Sequence, residues 1–314
     1  MAEENWERSL IETFATEMLA EQRRARRWGI FFKLATLGIV VAGLVVVLGV
    51  VAARERVCLD RCTALVDVRG ELSAGGRASA ERVIAGLQGA FKHQGTKGVI
   101  LRINSPGGSP VQAGQIYDEV RRLRQLHPET RVAAVVEEIA ASGGYYVAAA
   151  ADDIYVDKAS VVGSIGVIMD GFGFTGAMEK LGVERRVVTS GENKAFLDPF
   201  EPVDPKQQAY IQGMLDEVHE QFIAAVKSGR GKRLVEATPG LFSGLVWNGK
   251  QAIEVGLADA LGTVEGVARD VFKAEEVVDF TPEDNLAERV ARRFGAALGG
   301  QFALALRSAG WTWR

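Results

Sequence analysis

A serine between an apolar run and an alanine-rich stretch is the best candidate nucleophile in this sequence. Ser142 stands in IAASGGYYVAAAAD, residues 139–152, where a predicted buried strand ends and two glycines precede a predicted helix. A serine at a helix N-terminus lies beside free backbone N–H groups and the positive end of the helix dipole, which both favour developing negative charge. The placement follows the logic of a nucleophile elbow, although the sequence is not G-x-S-x-G. The alternative is that Ser142 only caps the helix.

A second glycine turn follows the preceding predicted strand. It has the sequence INSPGGSP, residues 103–110. Its two glycines leave backbone N–H groups accessible to a substrate carbonyl, as an oxyanion hole requires. One such turn is common in any strand-to-helix connection, but two at the ends of neighbouring strands favour a shared site.

A nucleophilic serine needs a base, and the sequence favours lysine over histidine. His93, His127 and His219 lie on or beside predicted helices, outside the glycine turns, in surroundings typical of a solvated surface. Lys194, in TSGENKAFLDPF, lies among turn residues after a predicted strand; as a base it must lose its charge through desolvation. Ser164, in VVGSIGV, is placed to hydrogen-bond the lysine amine. The alternatives are a solvated loop lysine and a turn serine bonded to backbone.

The elements that must position these residues alternate between strands and helices. Strands are predicted at residues 64–68, 98–103, 132–139, 153–157, 167–169 and 184–189. Helices are predicted after Ser79, from the second glycine turn to about His127, over 143–151 and from about Pro205 to Lys227. This alternation predicts an α/β domain with buried parallel strands.

An uncharged run near the N-terminus predicts a membrane anchor. Residues 34–53 are LATLGIVVAGLVVVLGVVAA, and at about 1.5 Å per residue they cover a hydrocarbon core of roughly 30 Å. Cationic residues crowd the segment before it, namely Arg23, Arg24, Arg26, Arg27 and Lys33. We therefore expect residues 1–33 on the cytoplasmic side of an inner membrane, one span, a linker over 54–63 and the remainder outside. A cleaved signal peptide is the alternative, but the charged prelude and the apolar run are both too long for one.

Charge and composition argue against several function classes. The net charge is −3 and the pI is near 5.8, whereas a nucleic-acid-binding domain usually carries a basic stripe. The sequence has no H-E-x-x-H motif, no paired-cysteine zinc pattern and no phosphate-binding loop, so we expect no metal and no cofactor. Cys58 and Cys62 can form a bridge in an oxidising compartment or remain unpaired thiols.

The last segment, residues 281–314, differs from the domain before it. Its apolar residues fall on one helical face and its arginines lie elsewhere, with Trp311 and Trp313 near the end. An amphipathic helix of this kind either lies on the bilayer surface or packs against protein. Gly295, Gly299 and Gly300 weaken any helix here.

Several segments, in this order, resemble the signal peptide peptidase A family. They are NSPGG at 104–108, AASGGYY at 140–146, VVGSIGV at 161–167, SGENKAFLDPF at 190–200 and GLVWNGKQAIEVGLADALG at 244–262. The resemblance runs over residues 64–280 and implies a single Ser–Lys protease domain. It also implies the repeated ββα-type fold of Clp protease and crotonase, here preceded by the transmembrane helix.

The resemblance assigns roles to five residues. It implies that Ser142 is the nucleophile, Lys194 the general base and Ser164 the hydroxyl that orients the lysine. The backbone N–H groups of Gly108 and Gly143 would form the oxyanion hole. The reaction would pass through an acyl-enzyme, which water activated by the same lysine hydrolyses.

The resemblance also implies an assembly and a substrate class. Short members of the family form rings, so we expect a homo-oligomer of eight subunits in which one subunit's serine is completed by its neighbour's lysine. The expected substrates are hydrophobic peptides such as signal peptide remnants. Alternatives are quality control of membrane proteins, a non-catalytic membrane scaffold, and a crotonase-like acyl-CoA enzyme with Glu137 and Glu138 as nominal acidic catalysts.

Overall fold

The chain divides into two compact units, residues 1–57 and 58–314. The computed structural model describes residues 22–24, 26–44, 58 and 60–282. In the first unit, helix α1 spans Gln22–Leu44, has a mean hydropathy of 1.5 over its most apolar window, and is long and apolar enough to cross a membrane. The C-terminal part of the predicted span, residues 45–53, and nearly all of the predicted tail 281–314 lie outside the described residues.

The second unit alternates strands and helices as the sequence predicts. The strands are β1 (Cys62–Arg69), β2 (Thr96–Ser105), β3 (Arg131–Ala141), β4 (Asp153–Val156), β5 (Val161–Gly163), β6 (Val246–Asn248), β7 (Ala260–Leu261) and β8 (Val277–Asp279). The helices are α2 (Ala80–Lys92), α3 (Pro110–Leu126), α4 (Gly143–Ala148), α5 (Thr175–Leu181), α6 (Pro205–Arg230), α7 (Gly249–Glu254) and α8 (Val264–Gly266). A 3₁₀ turn follows α6 at Gly231–Arg233, and a π-helical turn follows α8 at Val267–Val271.

The strands form one sheet in which β3 changes its partner along its length. The order is β6-β5-β3-β2-β1-β8, and β4 and β7 branch from β3. Residues 133–136 of β3 pair with β4, and residues 139–141 pair with β5. All strand pairs of the described sheet are parallel except β5 with β6. The predicted α/β class is confirmed.

Each face of the sheet has its own apolar cluster. Alternate residues of β1 and β2, such as Val66 and Leu101, pack with the apolar faces of the helices α2 and α3. The opposite face carries Leu65 and Ile100, which pack with the α8 region through Val267. This alternation follows from the two-residue period of a strand. A sheet covered on both faces accounts for the long apolar runs of its central strands.

Two predicted strands are wrong. Residues 167–169 and 184–189 form no strand; Ile168 is 84% exposed and Val188 is 99% exposed, so neither run has a neighbouring surface to bury it. β-Branched composition alone does not make a strand without such a surface. The excursion that contains them, residues 164–204 between β5 and α6, has α5 as its only helix or strand, and α5 has no buried residue.

The long helix α6 is confirmed, but it is buried only toward its C-terminal end. Of the apolar residues spaced by four along it, Phe222 and Val226 are buried, whereas Tyr210 and Met214 are 66% and 49% exposed. The apolar stripe of α6 is thus buried over only half its length. Its other half is exposed and can be covered by another protein surface.

A disulfide joins Cys58 to Cys62 at the start of the second unit. Cys62 is the first residue of β1 and both cysteines are buried. Of the two alternatives for these cysteines, the structure shows the bridge. In the chain-entropy account a loop this short stabilises the fold by about 2 kcal/mol.

A buried ion pair connects Arg230, at the end of α6, to Asp259, which directly precedes β7. The Arg230 side chain is 1% exposed and donates two hydrogen bonds to the Asp259 carboxylate, at 2.8 and 2.9 Å. Asp259 also accepts from the backbone N–H of Ile154 at 2.7 Å. Partial burial opposes ionisation of Asp259, but the hydrogen bonds and charge of Arg230 outweigh it and hold the pKa of Asp259 below its usual value.

We expect Arg230→Met to lower the free energy of unfolding by about 3 kcal/mol, because it removes the buried, two-bond partner of the partly buried Asp259 carboxylate and leaves only the more exposed Arg233 beside it. Urea unfolding of the detergent-solubilised chain measures this difference. Stabilisation by a carboxylate with a depressed pKa is complete above its unfolded pKa and is lost as the pH falls through the folded pKa. The difference should therefore persist at about pH 5 and shrink below about pH 4.

Arg269→Met is the matched control, because Arg269 pairs with Asp270 and both side chains are more than half exposed. This substitution should leave the unfolding midpoint nearly unchanged. Equal losses in the two variants would show that the Arg230 pair contributes no more than a surface pair.

Candidate active site

Ser142 lies on a sharp turn between β3 and α4. Its backbone has φ 51° and ψ −125°, a conformation that L-residues rarely adopt and that costs on the order of 1–3 kcal/mol. The turn is held on both sides, because the Ser142 N–H donates to the Gly163 carbonyl at 2.8 Å and its own carbonyl accepts from the Tyr146 N–H at 3.0 Å. Its side chain makes no capping hydrogen bond. A half-buried hydroxyl not used for capping is available for chemistry.

The glycine turn at 107–108 lies directly against the Ser142 turn. A Cβ added to Gly107 would come within 2.7 Å of the Ser142 Cβ and 2.9 Å of the Gly143 nitrogen. Gly107 also has φ +104°, which glycine alone adopts readily. The structure therefore brings the two predicted glycine turns into contact.

The N–H groups of Gly108 and Gly143, which are the expected oxyanion donors, lie at these two turns. Leu72 donates to the Gly107 carbonyl and accepts from the Ser109 N–H, both at 2.8 Å, which leaves the intervening Gly108 N–H out of this bridge. Gly143 opens α4, where a helix has no internal acceptor for its N–H. Among the described residues, neither the Gly108 nor the Gly143 N–H donates a hydrogen bond.

Ser164 lies beside Ser142 because β5 pairs with the end of β3. Ala141 is opposite Gly163 in the register and each ends its strand, so each serine is the first residue after its own strand. Ser164 also has φ 51°, and its N–H donates to the Leu245 carbonyl at 2.8 Å. A Cβ at Gly163 would come within 2.9 Å of the Trp247 ring, so this turn too requires its glycine.

Within the described residues, no hydrogen bond joins Lys194 to Ser142 or Ser164. It lies in the turn segment 191–197, its side chain is exposed, and its backbone N–H donates to the Gly191 carbonyl at 3.2 Å. Within residues 60–282 no hydrogen bond or ion pair joins its amine to another group. The following Leu197 N–H donates to Gln207 Oε1 near the start of α6, which fixes the segment to that end of the helix.

His219 was expected on a solvated surface, and the structure differs. It is half-buried on α6, and its Nε2 lies 3.1 Å from the Ile165 carbonyl oxygen, next to Ser164. Because a carbonyl can only accept, Nε2 carries the proton. The available signal was its spacing of three from Phe222, which places both on one helix face.

Other candidate groups are engaged elsewhere. Cys58, Cys62 and His93 place possible ligand atoms within 4.8 Å of one another, but the two sulfur atoms are joined to each other and offer no thiolate. Glu137 forms an ion pair with Arg69 at 2.7 Å, so this nominal acid of an acyl-CoA enzyme has a structural partner.

Comparison with known proteins identifies the family. The profile of peptidase family S49 matches residues 124–278, a range that contains Ser142, Ser164 and Lys194. A putative protease of Synechocystis sp. is 33% identical over 202 residues, which cover 64% of this chain and 70% of that protein. This chain belongs to peptidase family S49. The expected relation to signal peptide peptidase A proteins is thereby confirmed, and the fold is consistent with the Clp protease and crotonase architecture.

Other relatives share this S49 region with only part of their own length. A putative signal peptide peptidase SppA of Enterococcus faecium is 32% identical over 185 residues, covering 59% of this chain and 53% of that protein. The Na⁺/H⁺ antiporter NhaA of Brucella abortus is 40% identical over 186 residues, which are 59% of this chain but 25% of the antiporter. The S49 chain thus spans about a quarter of the length of that relative, and the likeness concerns the shared region alone.

We expect Gly107→Ala to reduce peptide hydrolysis on the order of 100-fold, because the added methyl group must displace the Ser142 turn. The measurement is the initial rate of cleavage of a fluorogenic peptide by the S49 chain in detergent. Gly114→Ala on α3 is the control, since a Cβ there meets nothing within 4 Å. An active Gly107→Ala variant would show that the contact between the two turns does not matter for catalysis.

Proposed function

We propose that this chain is a membrane-anchored serine endopeptidase with a Ser–Lys dyad. Ser142 is the nucleophile, Lys194 the general base and Ser164 the hydroxyl that orients the lysine amine. The proposal rests above all on one observation, the meeting of the turns at Gly107, Ser142 and Ser164 at one edge of the sheet. Membership of family S49 supports the same assignment.

The geometry suits acyl transfer. The Ser142 hydroxyl attacks the peptide carbonyl and gives its proton to the neutral lysine amine, and the proton then passes to the leaving amine. The Gly108 and Gly143 N–H groups flank Ser142 and stabilise the oxyanion, a contribution worth about 3 kcal/mol per donor in other hydrolases. Water activated by the same lysine then attacks the acyl-enzyme.

The position of Lys194 supports a site shared between subunits. A lysine acts as a base only when desolvation lowers its pKa, and the amine is exposed in the single chain. Gln207, which holds the Lys194 segment, and His219, which contacts the Ser164 turn, lie about 18 Å apart along α6 at 1.5 Å per residue. A lysine from a neighbouring copy is therefore proposed to complete each site.

Exposed apolar side chains on residues 168–210, which include the Lys194 segment, support the assembly. Several large side chains in this range are more than half exposed, as monomeric proteins seldom allow over a wide area. They are Ile168, Met169, Phe172, Leu181, Val183, Val188, Val203 and Tyr210. We propose that neighbouring copies cover them in a ring of eight subunits.

The helix α1 supports membrane anchoring, and with it the proposed substrates. A single span with cytoplasmic residues 1–33 would place the protease domain on the outer side of an inner membrane. Hydrophobic, extended peptides reach such a site readily, so remnants of cleaved signal peptides are the proposed substrates. Peptides from damaged membrane proteins are the alternative within the same chemistry.

The decisive experiment mixes two inactive variants. We expect Ser142→Ala and Lys194→Ala each to abolish cleavage while the assembly measured by light scattering in detergent stays intact. Co-assembled at equal amounts, they should recover about a quarter of wild-type activity, because a quarter of the serine–lysine pairs at random interfaces are then intact. Lys158→Ala, at another exposed lysine, should retain full activity.

Each outcome discriminates between mechanisms. No recovery on mixing, with both single variants inactive, would place the lysine and serine of each site in one chain. Near-normal turnover by Lys194→Ala would show that another base acts, and normal turnover by Ser142→Ala would remove the serine mechanism altogether.

Substrate class has its own test. We expect kcat/KM for a peptide with an unbroken apolar segment to exceed that for a peptide of equal length with interspersed Asp and Lys by at least about tenfold, because an apolar site would leave those charges unpaired. Quenched fluorescent peptides measure both values on the full chain in detergent. Equal values would contradict a preference for signal-peptide-like sequences.

A further inference from the structure

The helix α6 contacts the nucleophile helix through aromatic side chains. Phe222 stacks on Tyr146 of α4 with ring centres 4.8 Å apart, and Tyr146 packs edge to face on Tyr117 at 5.3 Å. The Tyr117 hydroxyl donates to the Ala225 carbonyl at 3.1 Å. These contacts fix α6 relative to α4, and therefore relative to the Ser142 turn at which α4 begins.

His219 lies one turn before Phe222 on the same face and reaches the neighbouring segment. Its Nε2–H donates to the Ile165 carbonyl at 3.1 Å, and the Gly244 N–H donates to the same oxygen at 3.1 Å. The Ile165 side chain is fully buried. The segment that carries Ser164 is thus fixed to the same rigid helix that is fixed to the nucleophile helix.

The backbone of Ser164 needs such support. A non-glycine residue at φ 51° persists only where its surroundings hold it, because the conformation costs on the order of 1–3 kcal/mol. The other bonds to this turn come from the Ser142 N–H and from Gly244 and Leu245, in a connection where Gly244 itself has φ +86°. The hydrogen bond from His219 adds support from the long helix α6.

We propose that His219 is a positioning residue, which sets the place of the Ser164 hydroxyl relative to Ser142 by donating to the Ile165 carbonyl. In this role the imidazole acts as an Nε2–H donor and not as the base for Ser142. The inference rests on the proposed function of Ser142 and Ser164. It assigns a catalytic contribution to a histidine outside the Ser–Lys pair.

The test compares two substitutions in the full chain in detergent. His219→Leu keeps apolar volume and removes the donor, and we expect kcat to fall on the order of 10- to 100-fold with KM within about twofold of wild type. His219→Gln restores an N–H donor at a similar reach but no base, and kcat should return to within about threefold of wild type. His127→Leu, at a half-buried histidine that packs on Phe91 away from the serines, is the control and should leave kcat unchanged.

A second measurement does not depend on peptidase activity. Amide hydrogen exchange of the segment 163–166, measured by mass spectrometry on the Ser142→Ala background, should speed up in His219→Leu and stay near the parent rate in His219→Gln. This reports whether the turn is fixed by His219 even if the proposed peptidase function fails.

The outcomes separate the possibilities. An inactive His219→Gln variant with parent-like exchange would overturn the proposal, because the imidazole would then act as more than a donor. Unchanged exchange and unchanged kcat in His219→Leu would also overturn it. Faster exchange with unchanged kcat would show a hydrogen bond that is structural only, and would contradict the positioning role.

Discussion

The candidate site depends on one backbone hydrogen bond, from the Ser142 N–H to the Gly163 carbonyl. It extends the parallel pairing of β3 with β5 by one residue beyond the strands. β3 can pair with β5 because it is longer than its neighbour β4. β4 pairs only with residues 133–136, in the first half of β3. β5 takes the second half, and its end is thereby aligned with the end of β3. Without this exchange of partners, the two serines would lie on different levels of the sheet.

This alignment requires a strained backbone at both serines, and tightly packed neighbouring residues must hold that backbone in place. Both have φ 51°, and glycine precedes or follows each of them where the chains approach most closely. The helix α4 behind Ser142 has the sequence GGYYVA, so three of its six residues are glycine or alanine. A Cβ at Gly229 of α6 would come within 1.9 Å of the Ala149 carbonyl oxygen, so small residues at this crossing permit the close packing.

Tyr145 fixes the helix α4 to the segment that contains Leu257. Its hydroxyl is fully buried and donates to the Leu257 carbonyl at 2.8 Å, and burial raises the pKa of this phenol, which keeps it neutral as a donor. Leu257 belongs to the segment that also carries Asp259, the partner of Arg230 at the end of α6. The buried ion pair and the buried tyrosine therefore hold α4 and α6 to one common segment, and the Ser142 turn depends on both.

The sequence was sufficient to predict what depends on local pattern. The central strands, the helices α2, α3 and α6, and the contact of two glycine turns follow from apolar periodicity and from glycines at strand ends. The wrong strands at 167–169 and 184–189 have the right composition, but whether such a run pairs depends on a neighbouring edge, which no local pattern encodes. The place of His219 depends in the same way on where α6 crosses the sheet, since its own surroundings in the chain are polar.

The contrast between the two halves of the proposed dyad has a physical consequence. One chain builds the serine side completely, with strained turns held by buried contacts, whereas the lysine side remains on an exposed excursion whose helix α5 buries no residue. On the proposed mechanism, contact with a neighbouring copy both covers the apolar side chains of the excursion and desolvates the amine. The same burial of surface would then stabilise the assembly and switch on the base, so a dissociated chain would keep a formed nucleophile turn and remain inactive.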